Sequence, residues 1–360
     1  MHIPLGHDPH SASPFERLAA ALDRLPNAFP RTASGIELRI LERIFSSEEA
    51  ALGALLTRAM APIEEIAARA ELSVKDARGL VMQLVRKGAA YLEREPGALR
   101  VRLAPFVVGF YEAQLDVLDH ELAHLFEAYL EQGGAKGIMG PEPALQRVIP
   151  ANAALPKEQI LPYDDVRAIL AQHKSFHVRD CICRVEQDLL ETRRCDFPLE
   201  VCLSFSTQER PLGPGDLTRE QALALLARTE EIGLVHSVSN VRAGWGYVCN
   251  CCGCCCGILR GITEFGLPNA MARANYYAEV DDALCVACGI CVDRCQVGAM
   301  SLPADVAVVD RARCIGCGLC VTGCTSQAVR LIPLPAEQVV DPPADFDAWE
   351  QARLHHRGLL

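Results

Sequence analysis

The chain has 360 residues, 50% of them hydrophobic, with a formal net charge of −11, which is enough apolar mass for two or three domains with real cores. That charge disfavours a general nucleic-acid or membrane-surface binder, and no uncharged apolar run approaches the roughly 18–20 residues of a membrane helix. All eighteen cysteines fall between Cys181 and Cys324, so a cysteine-free N-terminal half precedes a cysteine-rich C-terminal half.

Residues 1–34 read as a polar N-terminal segment. The start, MHIPLGHDPHSASPFERL, lacks the basic stretch followed by an apolar one that marks a secretory signal. The chain is therefore expected in the cytoplasm, where thiols stay reduced and disulfides are rare. So many cysteines there argue for metal, because unligated thiols are oxidation liabilities.

Residues 35–132 turn to short amphipathic helices. The stretch PIEEIAARAELSVKDARGLVMQLVRKG predicts a helix over Ile63–Ala70, a tight turn at Glu71–Ser73 and a second helix over Val74–Lys87. Ser73 is the expected N-cap and Gly88 the stop. The following AAYLEREPGALRVRLAP alternates around Pro96-Gly97, a hairpin signal. Helix–turn–helix followed by a hairpin resembles a winged-helix domain. From Gly35 to Phe110 there are eleven Lys or Arg against ten Asp or Glu. The second helix offers only Lys75, Arg78, Arg86 and Lys87 against Asp76, a thin set for gripping phosphates. Docking or dimerisation is therefore the preferred role, and DNA binding the lesser one.

FYEAQLDVLDHELAHLFEAYLEQ reads as one long amphipathic helix closing this region. It contains His120-Glu121-Leu122-Ala123-His124, a literal H-E-x-x-H. Glu127 and Leu130 stand where a metzincin has glycine and a third histidine. Leu115, Leu118, Leu122, Leu125 and Phe126 form a core stripe that explains the helix without metal.

Residues 133–162, rich in glycine and proline, read as an extended linker. Residues 163–276 form a cysteine-rich α/β middle domain, with helices at Tyr163–Gln172 and Arg219–Ile232. Cys181, Cys183, Cys195 and Cys202 are spaced C-x-C-x11-C-x6-C, and CNCCGCCC from Cys249 to Cys256 places six thiols in eight residues. Cys249, Cys252 and Cys255 read C-x2-C-x2-C; Cys251 and Cys254 form an interleaved C-x2-C, and Cys256 remains. Neighbouring side chains in extended chain point to opposite sides, so one set can face a cluster while the other faces elsewhere. The expected site is a loop gripping one iron–sulfur cluster through Cys249, Cys252 and Cys255. Its fourth ligand stays open among Cys181, Cys183, Cys195 and Cys202. The ten thiols suffice for one or two clusters, with zinc the alternative. His236 in GLVHSVSN reads as a satisfied core histidine rather than a ligand or proton donor.

Residues 277–335 carry the clearest pattern. Cys285, Cys288, Cys291 and Cys295 read C-x2-C-x2-C-x3-C, and the spacing recurs 29 residues later in Cys314, Cys317, Cys320 and Cys324. Three thiols at three-residue intervals suit a loop curling around one cubane, with Gly289, Gly316 and Gly318 permitting close approach. The fourth cysteine is expected past the curl, at the start of a short helix. The duplication resembles bacterial-type dicluster ferredoxins, over about residues 277–333. The resemblance implies two 4Fe–4S clusters with crossed ligands. Cys285, Cys288, Cys291 and Cys324 would hold one, and Cys314, Cys317, Cys320 and Cys295 the other. Gln296 and Thr325 stand where the family usually has proline, which leaves ligation intact but makes the potentials less transferable. Residues 336–360 read as a C-terminal tail.

The C-x-C-R stretch (Cys181 to Arg184), GLVH, CNCC and the terminal module together resemble bacterial cytoplasmic proteins described only as 4Fe–4S ferredoxin-type proteins. That resemblance implies iron–sulfur binding and electron transfer with redox partner proteins. The fold class expected is α+β, with a winged-helix-like region, a cysteine-rich middle domain and a ferredoxin-like terminal domain. The leading function is single-electron relay. A reductase with its substrate site in the middle domain and a redox-sensing winged-helix regulator are the alternatives. No G-x-G-x-x-G after a strand and no phosphate-binding P-loop is visible.

Overall fold

The computed structural model describes residues 12–155 and 161–360; the first eleven residues of the polar segment and residues 156–160 of the expected linker lie outside the described residues. The chain divides into two compact units, Met1–Ile138 with Leu354–Leu360, and Met139–Arg353. Both helix and sheet are present throughout.

The first unit begins with α1 (Pro14–Asp23), set by a capping box in which Ser13 accepts from the Glu16 amide and Glu16 accepts from the Ser13 amide. Such reciprocal capping satisfies two otherwise orphaned N–H groups. Leu18, Ala19, Ala21 and Leu22 are buried, so this part of the expected polar segment is core-forming helix. Helices α2 (Ile36–Ile44) and α3 (Ser47–Gly53) follow, then β1 (Ala61–Pro62), α4 (Ile63–Arg69) and α5 (Val74–Arg86). Ser73 accepts from the Asp76 amide at the start of α5, whose buried face is Ala77, Val81 and Leu84. Strands β2 (Ala90–Glu95) and β3 (Ala98–Leu103) make an antiparallel hairpin closed at Gly97, φ 80°, and β1 pairs with β3 as a third strand.

The long helix expected next is broken. A 3-10 stretch spans Glu112–Val117, Leu118 is extended, and α6 (His120–Tyr129) starts afresh. The break has a local cause: the Asp119 carboxylate accepts from the Leu122 amide at 2.9 Å, a strong N-cap that begins a new helix. Helix α7 (Ala135–Met139) carries the chain to the second unit.

The second unit is built on a six-stranded sheet in the order β4-β8-β9-β6-β5-β7, with every pairing antiparallel. The strands are β4 (Gln146–Ile149), β5 (Ser175–Asp180), β6 (Glu200–Ser206), β7 (Asp216–Leu217), β8 (Val235–Ser239) and β9 (Tyr247–Cys251). Residues 133–162 are thus more than a surface connector. All four residues of β4 are buried, and the Arg147 charge is compensated by Asp164 at 2.5 Å and the Tyr163 carbonyl at 2.6 Å. Helices α8 (Val166–Ala171), α9 (Ile182–Leu189), α10 (Arg219–Ile232) and α11 (Gly257–Thr263) lie between the strands and after them. Leu234 and Val235 are fully buried just after α10 stops at Gly233, φ 96°.

The duplicated cysteine runs sit in two small antiparallel ribbons, β10 (Tyr276–Val280) with β13 (Val329–Pro333), and β11 (Met300–Ser301) with β12 (Val308–Val309). Each run carries one short helix, α12 (Ile290–Asp293) and α13 (Leu319–Thr322). These helices begin before the third cysteine, so Cys295 and Cys324 follow the helix end rather than start it. The left-handed residues Gly289 (φ 78°) and Gly318 (φ 74°) bend the chain into each helix.

The two cysteine-rich regions, expected as separate domains, share this one unit. Ala151 N donates to the Cys317 carbonyl at 2.9 Å and Ala274 N to Ile315 at 3.0 Å. Arg294 donates to the Glu230 and Glu231 carbonyls at 2.8 and 2.7 Å. The expected tail forms α14 (Phe346–His356). Its Trp349 indole donates to the Ala144 carbonyl at 3.0 Å, and fully buried Arg353 donates to the carbonyls of Pro141 and Pro143.

Candidate metal centres

The eight terminal cysteines line two cavities. One is ringed by Cys285, Cys288, Cys291 and Cys324; the other by Cys295, Cys314, Cys317 and Cys320. Each therefore takes three thiols from one run and the fourth from the other. Apolar groups fill the shell: Ala278, Cys291, Met300, Ala307, Cys320 and Val329 form one buried cluster. Backbone amides reach two of the sulfurs, Ala299 N to Cys295 Sγ at 3.1 Å and Ala307 N to Cys285 Sγ at 3.5 Å. Burial pushes the Cys317 thiol up to about 12 and that of Cys320 upward too, because an apolar shell penalises the thiolate. A Cβ at Gly316 (φ 71°) would stand only 2.4 Å from the Tyr276 carbonyl oxygen. Only glycine fits there.

Gln296 explains the missing proline. Its side-chain oxygen accepts from the Gly253 amide at 2.9 Å, and its nitrogen donates to the Gly233 carbonyl at 2.9 Å. The position after the fourth cysteine thus ties the terminal module to the CNCC loop.

The ten middle thiols separate into two groups, and none is in a disulfide. Strand β9 puts alternate residues on opposite faces. Cys249 and Cys251 share a face, near Gln146 Nε2 and Ser237 Oγ, each at 3.8 Å. From there a file of neighbouring thiols runs Cys202, Cys249, Cys251, Cys256, Cys183, Cys181. Hydrogen bonds between neighbouring thiols, and after them burial, raise Cys181, Cys249, Cys251 and Cys256, with Cys183 the first cause at Cys181 and Cys202 the first at Cys249.

Past the end of β9 the chain turns, and Cys252, Cys254 and Cys255 meet Cys195 from the loop between α9 and β6. These four sulfurs all lie within 4.8 Å of one another. Thiol donors from Cys254 and Cys255 hold the Cys252 thiol low, while Cys252 in turn pushes Cys254 up to about 12. The expected C-x2-C-x2-C register of Cys249, Cys252 and Cys255 is therefore split. Cys249 belongs to the strand face, and Cys252 and Cys255 belong to the turn. The ladder's period of two, which governs through Cys251, overrides the loop-like period of three.

Between the two groups lies Arg184, with no exposed surface. It donates to the carbonyls of Pro198 at 3.2 Å and Asn250 at 2.9 Å. Its Nε has no hydrogen-bond partner, and the thiols of Cys181, Cys252 and Cys251 lie around its charge. In the sequence this arginine stands out only as the last residue of the C-x-C-R stretch, Cys181 to Arg184.

Asn250, on the opposite face of β9, enters a buried polar network. His236 Nδ1 meets Asn250 Oδ1 at 2.6 Å and His236 Nε2 meets Glu230 Oε1 at 3.2 Å. Asn250 Nδ2 donates to the Val201 carbonyl, at 2.5 Å, which fixes its amide orientation. Both ring nitrogens of His236 therefore face acceptors. Burial pushes Glu230 up, but the hydrogen bond and charge of His236, with the Asn152 and Ala153 amides, outweigh it and hold the carboxyl below its ordinary value. His236 is a satisfied core residue and touches no thiol in these contacts.

His120 and His124 are both exposed on α6, whose buried face is Leu122, Ala123, Leu125, Phe126, Ala128 and Tyr129. No helix among the described residues is long and apolar enough to cross a membrane.

Comparison with known proteins agrees with the terminal geometry. Two family profiles, each described as a 4Fe-4S binding domain, match residues 278–301 and 306–329. No curated protein and no solved structure matches the chain. The C-terminal region thus carries two 4Fe–4S binding domains, and a separate cysteine cluster upstream can hold another metal centre.

Proposed function

We propose that this protein relays single electrons between partner proteins through two 4Fe–4S clusters. Cys285, Cys288, Cys291 and Cys324 hold one, and Cys295, Cys314, Cys317 and Cys320 the other. The observation that carries this reading is the pair of cavities, each ringed by three thiols of one run and the fourth of its neighbour. Cubanes exchange one electron with little change in geometry, and the amides at Cys285 and Cys295 are levers on their potentials. Cys181, Cys183, Cys251 and Cys256, with Cys202 and Cys249 beside them, are the seat of a further iron–sulfur cluster. The contacts at Ala151, Gly253 and Arg294 couple that region mechanically to the terminal module.

The winged-helix-like region serves as a docking surface for a protein, in keeping with its balanced charge. The reductase alternative has one supporting feature, an open cleft of about 500 Å³ beside the His177–Asp216 pair. None of its lining residues is a cysteine, so the relay reading is preferred. A cytoplasmic location fits the large complement of free thiols.

The test is stoichiometry and reduction on the anaerobically purified full chain. About twelve iron with matching sulfide are expected, and dithionite should reduce the clusters one electron at a time. About eight iron would remove the upstream cluster and leave the relay standing. Fewer than about eight, or clusters inert to reduction at any accessible potential, would overturn it.

A further inference from the structure

Beyond the relay, we propose that Cys195, Cys252, Cys254 and Cys255 form a mononuclear tetrathiolate site occupied by zinc, without inorganic sulfide. The argument starts from distances. The Sγ atoms of Cys195 and Cys252 lie 3.9 Å apart, those of Cys195 and Cys255 3.7 Å, and those of Cys254 and Cys255 3.6 Å. A tetrahedron with zinc–sulfur bonds of about 2.3 Å has edges of about 3.8 Å. The observed spacings scatter around that edge. They are far longer than a disulfide bond of about 2.05 Å.

A cubane makes a different demand. Its four thiolates bind four separate irons at the corners of a cube, so they cannot close to the edge of a single-ion tetrahedron. The same molecule supplies the control. The eight terminal thiols ring two pockets four by four, and no three of them close within 4.8 Å of one another. Among the described residues, the Cys195 group is the one set of three or more metal-binding side chains that closes within 4.8 Å.

The surroundings fit a small, dry, anionic centre. Cys252 and Cys255 are only 1% and 2% exposed and pack against Val201 and Leu234. Four thiolates around a divalent ion leave two negative charges. Arg184, wholly buried and with an unpartnered Nε, supplies an opposing charge beside Cys252. Buried partners of this kind, around the ligands rather than on the ion, orient and hold metal ligands. Arg193 shapes the fourth ligand's loop: its Nε donates to the Cys195 carbonyl at 2.7 Å and its guanidinium also reaches the Phe197 carbonyl.

Zinc has no redox chemistry in such a site, so this centre holds structure rather than electrons. Residues 193–199 have no regular secondary structure, and the ion would fasten them to the turn that leads from β9 into α11. It also divides the ten upstream thiols. Four are committed to zinc, and six remain for redox chemistry.

The experiment uses the full chain, produced with both iron and zinc supplied and purified without oxygen. One zinc per chain is expected alongside the iron. Cys254→Ser, at the least enclosed ligand of the turn, should remove that zinc and leave iron and acid-labile sulfide unchanged. Loss of iron with matching sulfide in this variant, or iron in place of zinc in the parent, would overturn the proposal. Should Cys254→Ser fail to fold, X-ray absorption at the zinc edge of the unaltered chain decides. Four sulfur neighbours at about 2.3 Å are expected, and a shell containing nitrogen or oxygen would refute the tetrathiolate. Because the readout is zinc, the relay and this site can fail independently.

Discussion

Two cysteine-rich regions in one compact unit use their thiols in opposite ways. The terminal runs hold theirs apart around cavities, on loops entered through left-handed glycines. The upstream turn draws four together until their sulfurs approach van der Waals contact. Sequence spacing looks alike in the two places, since both contain C-x2-C-x2-C. The difference lies in what the backbone does between the cysteines. In the terminal runs it curls; at Cys249 to Cys251 it is strand, paired with β8 in register Val235↔Cys251 and Ser237↔Cys249. The same one-dimensional spacing therefore builds two kinds of ligand set.

The largest effect expected from breaking this comparison concerns the crossing of ligands in the terminal module. The double variant Cys285→Ser with Cys324→Ser places both lesions at one cavity, so about four iron per chain should be lost. Cys285→Ser with Cys295→Ser, both from the same run, touches both cavities and should cost about eight. Iron and sulfide counts on the two proteins, prepared anaerobically side by side, check this. If the within-run pair loses four and the cross-run pair eight, each run binds its own cluster and the crossed assignment is wrong.

What was legible in the sequence follows from how local each device is. The terminal thiols could be read because three of every four ligands lie within seven residues. The α1 capping box, Ser13 and Glu16 three apart, went unread because the start of the chain is polar. The upstream site was legible in part: Cys252 and Cys255 read as partners with Cys195 open as a further ligand, whereas Cys254 in place of Cys249 did not. Cys195 joins Cys252 across 57 residues, and only the sheet order β9-β6 brings their two loops together. The long-helix reading failed for a smaller reason. The periodicity across Glu112–Tyr129 is continuous, but Asp119 competes locally for the backbone and caps a second helix. Strand β4 was hidden because Arg147 and Gln146 are polar residues in a fully buried strand, paired by partners distant in sequence.

A second, intermediate effect tests whether the two regions depend on one another. A Cβ at Gly253 would stand 1.8 Å from the backbone oxygen of Gln296, an overlap that no rotamer change relieves. Gly253→Ala must therefore part the CNCC loop from the terminal module and strain the two hydrogen bonds of Gln296. Overpacking of this sort costs about 1–3 kcal/mol. The expected readout is a lower unfolding midpoint for the second unit and faster bleaching of cluster absorbance in air. Gly246→Ala is the matched control, since nothing lies within 4 Å of its added carbon. Equal behaviour of the two variants would mean that the terminal module stands without its upstream contacts.

The smallest effect is expected where a metal-binding motif exists in letters alone. His120 and His124 are four apart on α6, the spacing that lets two imidazoles share one ion, and both are exposed. A working site of this kind needs a third ligand and an enclosed position, whereas this face of α6 is open to solvent. His120→Ala and His124→Ala should leave iron, zinc and sulfide unchanged. Each should move the stability of the first unit by less than about 0.5 kcal/mol, as exposed substitutions do. The neighbouring Asp119 gives the contrast, because removing an N-cap costs about 1 kcal/mol. Its carboxyl is held below the ordinary range, first by the Leu122 amide and then by Arg43. A depressed folded value stabilises at pH above the unfolded carboxylate range and is lost as pH falls through the folded value. The gap between Asp119→Ala and the parent should therefore be full near neutrality and close in acid, while the histidine variants follow the parent throughout. Loss of one zinc equivalent in both histidine variants would make α6 a metal site after all, and exposure a poor guide to ligation in this chain.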